Sequence, residues 1–338
     1  VEYETTQGTK HTAAGAKLTY DVTNASYAGG AVSGDGLNDW PAIDAALTAA
    51  QAAGGGIIYF PAGTYDVWPT DADVDIVNGY PEIESGESVA SSLFSITSDN
   101  ITFLGDASGD PTSFINLYLW GKEPATKWLN VLSGGTGSSV SNVKRYFMFL
   151  MNDVEDFTIK NLDISAGATP VNTGKGWYSL DEKRYEWDIS HKLLASFDLN
   201  RFKNVVIDNL HTSDWRGEVI YNGGGSEKIL IKDSEFRRSN SSTLSGSFNL
   251  ELVDTTIADS ANSAVESNLL NDRVSAFTGG VYPQNHIMRG CTFIGLDQSA
   301  NGVMKDLPGD KNFAGWLCFN ETGTYQSVTD TTFTDFIA

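Results

Sequence analysis

One short pattern recurs along the second half of this chain, and it limits the fold more than any other feature. It reads FTIKNLDI at 157–164, VVIDNLHT at 205–212, ILIKDSEF at 229–236, LELVDTTI at 250–257 and HIMRGCTF at 286–293, with a weaker copy, VTDTTF, at 328–333. Apolar residues alternate over the first three places, Asn or Asp stands fifth in most copies (Asn161, Asn209, Asp233, Asp254), and the eighth place is mostly apolar. Alternation with a period of two means strand, and the Asn or Asp marks where the chain turns a corner. Two intervals between copies are 24 and 21 residues, about one turn of a solenoid; the others, 48, 36 and 40, call for an extra coil or a long inserted loop.

Three short strands per coil, stacked at about 4.8 Å, bury one continuous apolar column that no single coil could bury alone. The predicted fold is therefore all-β, a single-stranded right-handed parallel β-helix running as one domain over 1–338. It divides into an N-terminal segment, cap helix and first coil (1–67), early coils with loop insertions (68–156), and regular coils (157–338) with inserted loops at 165–203 and 266–285. A β-sandwich competes for strands this short, but it calls for hairpin turns such as Asn-Gly at 8–12-residue spacing, and the repeated corner Asn/Asp argues against it. At 338 residues the length suits two ordinary domains, yet repeat folds often reach it as one.

The N-terminal region supplies a cap. Asp39 is placed to cap a helix over AIDAALTAAQAAGGG, Pro41 sits in its first turn and Gly54 ends it. IIYF (57–60), PAG (61–63) and TYDV (64–67) then read as strand, tight turn, strand. A helix over the open end of a solenoid shields an edge that would otherwise pair with other chains.

The chain carries 22 Lys+Arg against 43 Asp+Glu, a net charge of −21, and between Lys17 and Lys122 there are fourteen acids and no base. A phosphate-backbone partner needs Lys and Arg, so nucleic acid is excluded, as is a basic membrane-surface role. Such acidity suits extracellular or high-salt surroundings, where screening weakens self-repulsion. No apolar run approaches the roughly 20 residues of a membrane helix. The start, VEYETTQGTK, has no signal-peptide core, so the sequence predicts that any targeting segment is absent from it. Cys291 and Cys318 leave one bridge or two buried thiols equally open.

The stretch GDGLNDWPAIDAALTAAQAAGGGIIYFPAGTYDV (34–67) resembles the opening motif of the pectate-lyase-like β-helix superfamily, in which Gly-Asp-Gly, a cap helix, a Gly-Gly pair and a PxGxY turn recur. The later NVVIDN and GCTF segments extend the likeness. The superfamily holds polygalacturonase-like hydrolases, pectate and alginate lyases, mannuronan epimerases and phage tailspike depolymerases. The resemblance implies glycan chemistry without choosing the reaction. It also implies a polysaccharide partner, an extracellular, secreted or virion-surface location, and leaves a homotrimer open.

Candidate chemistry follows from column arithmetic. Counting from Thr212, Phe236 and Ile257, the second position gives Asp214, Arg238 and Asp259, an acid, base, acid column in which Arg237 or Arg238 is free to face an acidic sugar. The sixth gives Glu218, Ser242 and Ser263. The eighth gives Ile220, Leu244 and Val265, expected inside, and the ninth gives Tyr221, Ser245 and Glu266. Glu218 and Glu266, or Asp214 and Asp259, are the candidate acid and base of a hydrolase, two coils or about 10 Å apart. Val303-Met304-Lys305 is expected to continue the next strand, setting Lys305 beside Glu266; β-elimination by Lys305 or Arg238 with Tyr221 as proton donor is then the alternative. A non-catalytic glycan-binding spike or surface protein is the third reading.

Trp177, Tyr185, Trp187 and His191 in the 174–192 insertion, together with Trp215, Arg216, Arg237 and Arg238, are the expected substrate contacts, since aromatic faces suit sugar C–H surfaces. His11, His211 and His286 show no pairing. No metal ligand or cofactor is expected: DADVD (71–75) with Glu82 has Ile76 where a Ca²⁺ loop turns on Gly, although a surface Ca²⁺ site stays open in so acidic a chain.

Overall fold

The computed structural model describes residues 2–4, 10–12, 17–68, 76–77, 80–81, 90–107, 109–118, 145–165, 197–215, 218–222, 228–239, 243–246, 249–260, 263–268, 287–294, 316–320, 327–329 and 331–334. Within them nearly every strand belongs to one parallel ladder system, and the register defines three faces. On the first, Thr19, Ile57, Thr102, Thr158, Val206, Leu230, Glu251, Ile287 and Ser327 lie side by side on successive coils. On the second the series is Tyr65, Ile115, Ile164, Thr212, Phe236, Ile257, Phe293 and Phe333. On the third it is Phe94, Phe149, Phe197, Ile220, Leu244, Val265 and Leu317. The chain is a parallel β-helix, as the repeat predicts.

The pairing also decides between the two readings of the spacing. Phe157 pairs with Val205, Glu251 with Ile287 and Ile287 with Ser327, so intervals of 48, 36 and 40 each span one coil with an insertion, and none holds an extra coil. The insertion placed at 165–203 is shorter than expected, because strand resumes at Phe197 in Phe197–Trp215. The one placed at 266–285 starts later, because Ser263–Asn268 is strand.

The corners have a backbone cause. Asn161, Asn209, Asp233 and Asp254 all adopt left-handed backbone, with φ of 57°, 53°, 50° and 47°. Asn and Asp tolerate that region better than other non-glycine residues. In the coil where the fifth place is Gly290 (φ 65°), glycine takes the left-handed backbone without a side chain, and a Cβ there would displace the Asp254 carboxylate. A second left-handed column, Asn100, Asp156 and Asn204, turns the chain from the third face to the first. Side-chain amides tie these corners together: Asn209 Nδ2 donates to Asn161 Oδ1 (3.1 Å) and to the Gly109 carbonyl (2.8 Å).

Inside, Phe60, Phe103, Phe149, Phe197 and Trp215 form a continuous aromatic chain. Successive ring centroids lie 6.0, 4.8, 5.0 and 5.5 Å apart, distances at which aromatic rings attract beyond simple burial. Later coils replace the rings by Ile231, Leu244, Leu252, Ile257 and Val265, all buried.

Helix α1 (Trp40–Ala52) packs Ala42, Ile43, Ala46, Leu47 and Ala50 against the first coil. The Trp40 indole donates to the Leu93 carbonyl (2.7 Å), and Gln51 Oε1 accepts from Thr97 N (2.6 Å), which fixes both helix ends to the sheet. Gly54, at φ 80°, turns the chain out of the helix as the sequence predicts. Asp39 differs from expectation: its carboxylate makes no cap bond and instead accepts from the backbone N–H groups of Val32 and Asp66 (both 2.9 Å). Burial pushes this carboxyl above its ordinary range in spite of those two bonds.

Candidate functional site

Adjacent residues of a strand point to opposite sides, so each buried column has outward columns beside it. Beside Ile220, Leu244 and Val265 on the third face runs Asp198, Tyr221, Ser245, Glu266 and Cys318. The Tyr221, Ser245, Glu266 alignment and the inward Ile220, Leu244, Val265 column are both as the sequence predicts. The expected lysine neighbour is not: Trp316–Asn320 is the strand against Ser263–Asn268, and Cys318 takes the position beside Glu266 that Lys305 was expected to hold. The count fails because 24 residues separate Phe293 from Leu317, where 8 separate Phe236 from Leu244 and Ile257 from Val265. Lys305 itself lies outside the described residues.

Glu266 shares Tyr221's column two coils on, and Glu218 precedes Tyr221 by three residues. Glu218 lies before the strand Ile220–Asn222, so the register fixes the height of Glu266 and not that of Glu218. Trp215 is also corrected. It is fully buried with its ring edge-on to Phe197, so it belongs to the core and offers no surface to a sugar. Trp177, Tyr185, Trp187, His191 and Arg216 lie outside the described residues.

On the second face Ser213 pairs with Arg237 and Arg237 with Ala258, while Trp215 pairs with Ser239 and Ser239 with Ser260. Asp214, Arg238 and Asp259 fall between these pairs, so the backbone register brings them to one height on three successive coils. Arg237 is ion-paired with Glu235 two residues back on its own strand.

That face holds a column the sequence argument missed. Phe114, Asp163, His211, Glu235, Thr256 and Thr292 occupy one register position on successive coils. His211, expected to be without a pairing, stands between two carboxylates. Phe114 is 39% exposed, and the three titratable members are half-buried. Burial raises the Asp163 carboxyl above its ordinary range, partly countered by His211. The signal lies in the repeat itself: Asp163, His211 and Glu235 are the seventh residues of FTIKNLDI, VVIDNLHT and ILIKDSEF.

The fourth residues of the same copies are Lys160, Asp208 and Lys232. Asp208 is buried and accepts both lysines, Lys160 Nζ at 2.5 Å on Oδ2 and Lys232 Nζ at 3.1 Å on Oδ1. Burial lowers the Lys232 ammonium, but the Asp208 and Asp233 carboxylates outweigh it and leave the group raised. Among the described residues no three His, Cys, Asp or Glu side chains converge to hold a metal ion. Cys291 is a buried free thiol whose burial raises it.

Among the described residues the fold is a parallel β-helix with polar and titratable columns along its strands. No protein-family model matches the chain, and no curated protein does. Among solved structures it is similar to the A-module of a mannuronan C-5 epimerase from Azotobacter vinelandii (14% identity, TM-score 0.42, covering 82% of this chain and 67% of that one). It is similar also to a rhamnogalacturonan lyase (12%, TM-score 0.45, 94% and 67%). A third likeness is to the tailspike protein of Escherichia coli bacteriophage HK620 (13%, TM-score 0.44), where 87% of this chain spans 43% of the tailspike. The likeness is one of fold.

Proposed function

We propose that this chain is an extracellular polysaccharide-degrading enzyme that holds a glycan along the outside of the β-helix and hydrolyses its glycosidic bonds by acid/base catalysis on the second face. The observation that supports this is register: carboxylates repeat at one strand position with whole coils between them, as Asp214 and Asp259 do around Arg238. Rigid strands hold catalytic groups better than loops, and acid/base hydrolysis of a glycoside asks for two carboxyl groups separated by enough room for a water. Glu218 and Glu266 stand as the other candidate pair. β-Elimination with Arg238 as base and Tyr221 as proton donor is the alternative; Cys318 takes the place beside Glu266 at which Lys305 was expected.

Incubation with a panel of neutral and acidic polysaccharides, followed by assay of new reducing ends and of the ultraviolet absorbance of unsaturated products, tests the reading. Hydrolysis releases reducing ends without that absorbance. Absorbance that grows with cleavage would establish a lyase instead, and binding with no shortening of any polymer would establish a glycan-binding spike or surface protein.

A further inference from the structure

Register brings Asp214, Arg238 and Asp259 to one height but does not give two carboxyl groups different environments. An inverting acid/base pair needs two: one carboxyl protonated to donate to the leaving oxygen, the other ionised to accept from water. The seventh-place column supplies that asymmetry on the same face, three residues earlier on each strand. Asp163 and Glu235 lie two coils apart, about 10 Å between Cα atoms, with His211 between them. A modest tilt of either side chain along the axis brings the carboxyl groups into the roughly 6.5–9.5 Å range of inverting glycosidases.

We infer that Asp163 is the general acid and Glu235 the general base of the hydrolysis, acting on a neutral polysaccharide laid along the solenoid axis over Phe114, Asp163, His211 and Glu235. The inference rests on the hydrolase reading above and goes further in naming the residues and the substrate class. The groups facing Asp163 along the column are Phe114 on one side and His211 on the other; Glu235 faces His211, Thr256 and its ion-pair partner Arg237. Shelter favours the neutral carboxyl of Asp163, while Glu235 is held in an ion pair with Arg237. Two acids stand in this column against one arginine that Glu235 already engages, a balance that repels a uronate and favours an uncharged sugar. Phe114 offers its exposed ring to the apolar face of a pyranose one coil before the acid, and Thr256 and Thr292 offer hydroxyl groups beyond the base.

The step balances. As the anomeric C–O bond breaks, the Asp163 proton passes to the leaving oxygen. A water oxygen bonds to the anomeric carbon from the opposite side and gives one proton to Glu235. The products are an alcohol end and a hemiacetal of inverted configuration. Return of the proton from Glu235 to Asp163 through the intervening imidazole restores the starting state, which makes His211 a positioning and proton-return residue.

The test compares the wild type with Asp163→Asn and Glu235→Gln on neutral polysaccharides and on a polyuronate, by reducing-end assay across pH with thermal midpoints alongside. Each variant is expected to lose about 10²–10⁴-fold in kcat/KM with its thermal midpoint little changed. Glu235→Gln should lose the acid limb of the pH profile and Asp163→Asn the alkaline limb. Wild-type cleavage of neutral polymer with both variants within a few-fold of it overturns the assignment and leaves the hydrolase reading standing. Preferential cleavage of the polyuronate overturns the substrate class. A wild type that cleaves nothing overturns both. If either variant fails to fold, the wild-type profile decides: a bell shape supports the pair, and a profile flat across the carboxyl range contradicts it.

Discussion

Lys160, Asp208 and Lys232 stand on one side of the Asn161, Asn209, Asp233 corner; Asp163, His211 and Glu235 stand three residues further along the same coils, on the other side. The charge order is inverted across the corner. On the first face a buried carboxylate is gripped by two lysines, and the charges are satisfied within the ladder. On the second face an imidazole lies between two half-buried carboxyl groups, of which Glu235 is ion-paired with Arg237 on its own strand. The same backbone spacing thus serves structure where the ions close on one another across coils and, on our proposal, chemistry where they do not.

Removing the structural side should hurt stability most. Asp208→Ala leaves two lysines without the carboxylate that both contact, and a loss of about 2–4 kcal/mol is expected from the shift of a urea midpoint, reduced from a fully buried pair because both lysine side chains retain access to water. Activity per folded molecule should be nearly unchanged. Next is the corner itself: Asn209→Ala forces an alanine into φ 53° and deletes two amide bonds, for about 1–2 kcal/mol by the same measurement.

Titration separates the two sides further. The Lys232 ammonium is raised in the folded state, so its ion pair contributes stability that is fully present below the ordinary value of 10.5 and lost as pH rises through the folded value. Wild-type stability should therefore fall in the alkaline range above 10.5, and Lys232→Met should flatten that fall. The smallest effect is expected at Asp163. Its carboxyl is raised by burial, so the ionised form lowers stability above the folded value and has no effect below the ordinary 3.8. Asp163→Asn should be slightly more stable than wild type at neutral pH, with the difference vanishing as pH falls toward 3.8, while its activity collapses.

Much of the fold was legible because corners and strands obey local rules. Asn161, Asn209, Asp233 and Asp254 announce left-handed turns, and the alternation beside them fixes the Thr212, Phe236, Ile257 and Ile220, Leu244, Val265 alignments, which the strand register bears out. Coil closure across insertions was not legible. Nothing local says that Phe157 and Val205, 48 residues apart, are neighbours, or that Cys318 and not Lys305 meets Glu266. Trp215 looked like a sugar platform because an aromatic beside a polar corner has no local mark of the interior ring chain that absorbs it. His211 was missed for a related reason: its partners sit in other copies of the repeat, visible only when the copies are read down the seventh place.

The most direct test of the acid/base assignment is the configuration of the newly formed reducing end, followed by proton NMR during the first minutes of cleavage of a neutral polysaccharide by the wild-type protein. Carboxyl groups two coils apart leave room for a water, so the first product should carry the anomeric configuration opposite to that of the bond cleaved. A product that keeps the original configuration would require a nucleophile only about 5–5.5 Å from the acid, a spacing that Asp163 and Glu235 cannot supply, and would contradict the assignment.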